Sequence, residues 1–130
     1  MNDDGKPGRI LSVVIPVYNE RQTVLQMIEK VLKLEIVAEV VVIDDGSTDG
    51  TREILEKTAF DRRVRLFFHE RNRGKGAALR TGFGHVKGEV VAIQDADLEY
   101  DPDEFNEMIR PIRDGVDRKS TRLNSSHRIR

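Results

Sequence analysis

A chain of 130 residues with 38% hydrophobic and 35% charged residues can bury one modest core under a polar surface, which favours one domain over two. Its 22 Lys+Arg against 23 Asp+Glu give a formal net charge of -1, without the basic excess of a nucleic-acid binder. No apolar run approaches the ~20 residues of a membrane span, no secretory leader pattern opens the chain, and the absence of cysteine excludes disulfides and thiolate metal sites.

Residues 1–9 are polar, with Gly5, Pro7 and Gly8, and are expected to be a flexible start. Ile10 to Val17 is a nearly continuous apolar run that suits a strand buried on both faces. Thr23 to Leu34 then sets Val24, Leu25, Ile28, Val31 and Leu32 on one helical face. Val40 to Ile43 is a second, β-branched strand closed by DDGSTDGT, where Ser47, Thr48 and Asp49 can cap a helix carrying Ile54 and Leu55 inward. Val64 to Phe68 reads as a third strand. Gly74 and Gly76 open a helix with Leu79, Phe83 and Val86 at i, i+4 and i+7, and Glu89 to Ile93 reads as a fourth strand. A last helix starts near Asp101, where Glu104 completes a capping box and Pro102 takes the first turn; Pro111 ends or kinks it.

This alternation predicts an α/β domain over residues 10–116, with a mainly parallel, doubly wound sheet flanked by helices. Residues 117–130, DRKSTRLNSSHRIR, hold five basic residues and one acidic one, which leaves residues 1–116 with 17 basic and 22 acidic, a net of -5. The tail has little apolar content and no periodicity, so it is expected to be disordered. Its RKSTRLNSSH string resembles translated adapter or vector sequence, foreign to the domain.

In a doubly wound sheet, ligands bind outside the carboxyl ends of the strands. Three polar motifs fall there: Tyr18-Asn19-Glu20, Asp44-Asp45-Gly46-Ser47 and Asp95-Ala96-Asp97. Carboxylates converging at Asp95, Asp97 and Glu99 repel unless a cation neutralises them, and carboxylates with water suit Mg²⁺ or Mn²⁺ beside substrate phosphates. A solvated acidic loop fits that spacing as well. Asp44 and Asp45 can accept hydrogen bonds from a base or ribose, or can simply build a turn. Tyr18 offers a ring for stacking and Pro16 fixes the strand exit, although Tyr18 also suits a half-buried rim. Arg71, Arg73 and Lys75, beside Gly74 and Gly76, can meet a diphosphate at a helix start or form an ordinary basic loop; the spacing is not that of a P-loop. His69 and His85 stand isolated and read as structural or solvated.

In combination these segments say more. VVIPVYNE (13–20), VVIDDGSTDGT (41–51), NRGKGAALRTGF (72–83) and QDADLEYDP (94–102) occur in an order that closely resembles family-2 glycosyltransferases of the GT-A, Rossmann-like fold. The resemblance is nearest to the dolichol-phosphate mannosyltransferase-like, polyprenyl-phosphate glycosyltransferase group and covers residues ~10–116. It implies inverting transfer of a sugar, of hexosyltransferase type, from a nucleoside diphosphate sugar to a lipid-phosphate acceptor. Pro16, Tyr18, Glu20 and Asp45 then match nucleoside-holding positions, and Lys75 matches a basic position near the nucleotide. Asp95, Ala96 and Asp97 match the DXD motif that carries catalysis through a divalent cation, Mn²⁺ or Mg²⁺, with Glu99 as a further metal ligand.

The resemblance stops near Asp117, so the sequence reads as a truncated, donor-binding half, inactive alone and prone to aggregate. The expected location is cytoplasmic, with the membrane surface open to a full-length protein. Two other readings stand beside this one: a non-catalytic nucleotide-sugar-binding module and a metal-dependent nucleotidyltransferase.

Overall fold

The computed structural model describes residues 8–94 and 96, and the backbone of residues 121–124. Five strands, β1 (Leu11–Val17), β2 (Val37–Asp45), β3 (Val64–His69), β4 (Val90–Ile93) and β5 (Thr121–Asn124), form one sheet in the order β3-β2-β1-β4-β5. Every neighbouring pair is parallel. The described helices are α1 (Val24–Leu32), α2 (Thr51–Lys57) and α3 (Lys75–Phe83). The chain steps outward from β1 to β3 and then returns to the other side of β1. The order therefore reverses between β1 and β4, where a crevice opens at the carboxyl ends.

Alternation along β1 explains why its apolar run is nearly continuous, broken only by Ser12. Val13, Ile15 and Val17 face Val24, Met27, Ile28 and Val31 of α1 and Leu55 of α2. Val14 points the other way and joins Val41, Ile43 and Val91 beneath Ala78 of α3. With helices on both faces, Leu11, Val13, Val14, Ile15 and Val17 all leave water, each contributing about 1.5–3 kcal/mol before ordering costs.

Leu79, Phe83 and Val86 pack against the core as their spacing predicts, but the inner face of α3 includes residues that spacing does not mark. Ala77, Ala78 and Gly82 are its buried residues, whereas Leu79 and Phe83 are only half-buried and Val86 lies past the helix end. Small residues let the helix backbone rest directly on the sheet, and the larger side chains flank the contact. A Cβ at Gly82 would stand 2.6 Å from Val14 Cγ1 and 2.8 Å from Ile43 Cδ1. Gly82→Val should therefore lower stability by about 3 kcal/mol through overpacking, read as a lower urea midpoint with an unchanged slope.

The tail differs from its expectation. Residues 117–130 were expected to lack structure, yet Thr121–Asn124 lies parallel beside β4, with Val90 opposite Thr121 and Ile93 opposite Asn124. An open strand edge presents unpaired N–H and C=O groups that an extended segment can satisfy whatever its composition. The expected helix from Asp101 lies outside the described residues.

At the amino ends of the strands a buried Glu39 is held by three donors. It accepts hydrogen bonds from Ser12 Oγ at 2.7 Å, from Arg65 at 3.0 Å and from the Lys87 N–H. This pole holds the connection into β4 and leaves the opposite pole for the polar motifs.

Candidate functional site

The site is built where β1 and β2 end. β1 runs through Val17, 1% exposed, to Tyr18, 45% exposed, so the chain passes from core to rim in one residue. Asn19 takes the left-handed conformation, φ 54°, which an Asn tolerates. Its N–H donates to Ser47 Oγ at 2.8 Å, and its Oδ1 accepts from the Thr48 N–H at 2.8 Å. The Glu20 N–H donates to Thr51 Oγ1 at 3.1 Å, and the Arg21 N–H reaches Asp49 Oδ2 at 3.4 Å. These bonds lace the loop after β1 to the loop after β2.

Asp49 serves both this tie and α2. The N-cap position is Gly50, which has no side chain to offer, so Asp49 Oδ1 accepts from the Thr51 N–H at 3.0 Å and from the Thr51 hydroxyl. Burial pushes the Asp49 carboxyl up, but the Thr51 and Arg21 hydrogen bonds outweigh it and hold the group below its ordinary 3.8. A carboxyl depressed in the fold stabilises at pH values above the unfolded value and loses that contribution as pH falls through the folded one. Acid titration should therefore loosen the two loops only below about pH 3.8, and Asp49→Asn should flatten that part of the stability profile.

Asp45, the last residue of β2, is 3% exposed. Its Oδ1 accepts from the Arg73 N–H at 2.9 Å and from His69 Nδ1 at 2.8 Å, and its Oδ2 accepts from the Gly74 N–H at 2.9 Å. A carboxylate has about four acceptor positions, so one remains on Oδ2. The loop it holds lies hard against Gly46. There φ is +75°, and a Cβ would fall 2.3 Å from both Arg71 C and Asn72 N, so only glycine fits. Neighbouring Asp44 is 1% exposed and points to the other face. Its Oδ1 accepts from the Ser47 N–H at 3.0 Å, and its Oδ2 has no hydrogen-bond partner among the described residues.

Between these elements lies a cleft of about 310 Å³. Pro16, Tyr18, Glu20, Asp45 and Lys75 all line it, with Asn72 and Gly74. Five residues spread over 60 positions of sequence, each singled out before folding, thus share one surface. Lys75 is exposed at the first position of α3, where backbone N–H groups favour anions.

The acidic motif is only partly visible. Asp95, Asp97 and Glu99 lie outside the described residues. Their neighbours are fixed: Gln94, fully buried, donates its N–H to the Val14 carbonyl at 2.9 Å, and the Ala96 carbonyl accepts from Thr23 Oγ1 at 2.8 Å. Those bonds tie the segment after β4 to β1 and to the start of α1, across the point where the strand order reverses. Among the described residues no group of three His, Asp or Glu could hold a metal.

His69, isolated in the sequence and read there as structural or solvated, is a structural residue with two partners that the sequence does not name. It is 8% exposed, opposite Asp45 in the β2–β3 register, and its Nε2 lies 2.9 Å from Thr81 Oγ1. The available signal was that both residues end parallel neighbouring strands.

The parallel sheet, its reversed strand order and a polar cleft at the carboxyl ends of β1 and β2 define an α/β domain of the Rossmann-like, GT-A type. Residues 12–118 match the family model of glycosyl transferase family 2, and the chain belongs to that family. It is 36% identical over 118 residues to an undecaprenyl-phosphate 4-deoxy-4-formamido-L-arabinose transferase of Proteus mirabilis, covering 86% of this chain and 36% of that protein. The corresponding transferase of Salmonella choleraesuis is 34% identical over 120 residues, with 88% and 37% covered. The chain thus spans little more than a third of these relatives. Among solved structures it resembles glucosyl-3-phosphoglycerate synthase of Mycobacterium tuberculosis, crystallised with Mn²⁺, UDP and phosphoglyceric acid. The TM-score is 0.65 at 28% identity, over 84% of this chain and 40% of that one. S. aureus TarS follows at a TM-score of 0.62 and 27% identity, over 78% and 32%.

Proposed function

We propose that this chain supplies the donor-binding part of an inverting glycosyltransferase that moves a sugar from a nucleoside diphosphate sugar to a polyprenyl phosphate. The observation that carries the reading is the single cleft lined by Pro16, Tyr18, Glu20, Asp45 and Lys75. In it the half-exposed Tyr18 ring stacks on the base. The remaining acceptor position of Asp45 takes a nucleoside N–H or O–H. Lys75 and the N-terminus of α3 meet the diphosphate.

Asp95 and Asp97, with Glu99, would hold a divalent cation, Mn²⁺ or Mg²⁺. Their acidic donor set fits a hard ion, and Gln94 and Ala96, next to them in sequence, are anchored to Val14 of β1 and to Thr23. Such an ion, when bound, neutralises charge on the departing diphosphate. A phosphate acceptor arrives already anionic, so the chain needs no strong base to activate it. The named relatives act on undecaprenyl phosphate, which supports a lipid acceptor and a place at the cytoplasmic membrane surface. Among the described residues no helix is long and apolar enough to cross a membrane.

The test is a thermal-shift screen of UDP, GDP, CDP and ADP, each with and without Mn²⁺. A ligand at a hundred times its Kd stabilises by about 2.7 kcal/mol. One nucleotide should raise Tm by on the order of 10 °C with metal and by much less without it. No shift with any of the four would remove the proposal.

A further inference from the structure

We propose that His69 and Thr81 are positioning residues for the donor cleft. They lock the Asp45 carboxylate, which in turn clamps the Arg73–Gly74 backbone and so aims the start of α3, with Lys75, at the ligand. The proposal rests on reading the cleft as a nucleotide site. Asp45 has to accept three N–H bonds in a fixed plane, two of them from consecutive backbone amides. A carboxylate on its own rotates about its terminal torsion at little cost. His69 removes that freedom, because its Nδ1–H donates to Oδ1 at 2.8 Å while its Nε2 is held at 2.9 Å by the Thr81 hydroxyl. Thr81 stands on α3 itself, so the helix whose first turn meets the ligand is pinned at two points seven residues apart, to β2 through the Gly74 N–H at its N-cap and to β3 through Thr81. The Asp45 and His69 side chains are 5% and 7% exposed, which keeps water from competing for these bonds. Gly46, against Arg71 and Asn72, leaves the loop no room to settle elsewhere toward β2.

The experiment uses the 130-residue chain and compares wild type with His69→Ala, His69→Asn and Thr81→Val. Amide hydrogen exchange at Arg73 and Gly74 is read by NMR without ligand, and UDP binding with Mn²⁺ is read by calorimetry. His69→Ala should speed exchange at these two amides at least tenfold while Val14 and Val42 keep their protection, and should weaken UDP binding at least tenfold. His69→Asn, whose amide can still donate to Asp45, should recover most of both losses. Thr81→Val should speed exchange at least threefold. Unchanged protection of Arg73 and Gly74 in a folded His69→Ala overturns the proposal, as does a His69→Asn no better than the alanine variant. If His69→Ala does not fold, Thr81→Val decides: faster exchange at the two amides supports the proposal, and wild-type exchange overturns it. Failure of wild type to bind any nucleoside diphosphate would count against the nucleotide reading, and the exchange arm would still decide the positioning role.

Discussion

Asp97→Ala should abolish the Mn²⁺ response of nucleoside diphosphate binding and weaken binding in its presence on the order of a hundredfold. A divalent ion between a carboxylate pair and a diphosphate is worth several kcal/mol, and 1.4 kcal/mol is a factor of ten. On the proposed ligand set, Asp95 and Glu99 would hold the ion less well without Asp97, because each carboxylate removed takes away charge that balances the cation beside the phosphates. The fold should survive the change, since a carboxylate beside another carries a repulsion that alanine relieves. Calorimetric titration of UDP with and without Mn²⁺ reads the effect. A metal response equal to wild type would mean that the ion sits elsewhere.

Asp45→Ala should be the most damaging single change in the cleft, and for two reasons at once. It removes the acceptor offered to the nucleoside, a charged hydrogen bond worth on the order of 1.5–3 kcal/mol. It also strands the Arg73 and Gly74 N–H groups and the His69 ring, all of which bond to Asp45. From the sequence alone, the loss should be large for a nucleoside diphosphate and small for bare diphosphate. The structure changes that expectation: the loop that Asp45 holds carries Lys75, so diphosphate binding should fall as well. The variant should lose about 2 kcal/mol of stability, chiefly from the buried His69 ring and the part-buried amides left unpaired, seen in urea unfolding, and more than tenfold in affinity for both ligands, with the larger loss for the nucleoside diphosphate. A selective loss for the nucleoside diphosphate, with stability intact, would show that the clamp has no energetic weight.

The central strands β1 and β2 were legible because they are buried on both faces, so apolar runs at residues 10–17 and 40–43 mark them, whereas β3 is half-buried and its run at 64–68 is interrupted by Arg65. The strand ends were less so. β2 reaches from Val37 to Asp45, past its apolar run at both ends, because ladder bonds continue wherever a neighbour is alongside. The inner face of α3 was only partly legible, for a different reason. A search for large apolar residues at helical spacing finds Leu79 and Phe83, but the close approach of α3 to the sheet selects Ala78 and Gly82. Of the cleft, the residues that could touch a ligand were readable from type and position at strand ends. The support behind them was not. His69 and Thr81 are 12 residues apart, and each meets Asp45 or the other only once parallel β2 and β3 are in register.

The central claim, that the cleft at the ends of β1 and β2 holds a nucleoside diphosphate, is tested most directly by an NMR titration of the chain with UDP and Mg²⁺. A nucleotide in this cleft shifts the amides of Val17 to Glu20, Asp45, Gly46 and Asn72 to Gly76, and leaves Arg9, Glu39, Arg62 and Lys87 at the opposite pole unmoved. Shifts centred on that opposite pole, or none at saturating UDP, GDP, CDP and ADP, would contradict it.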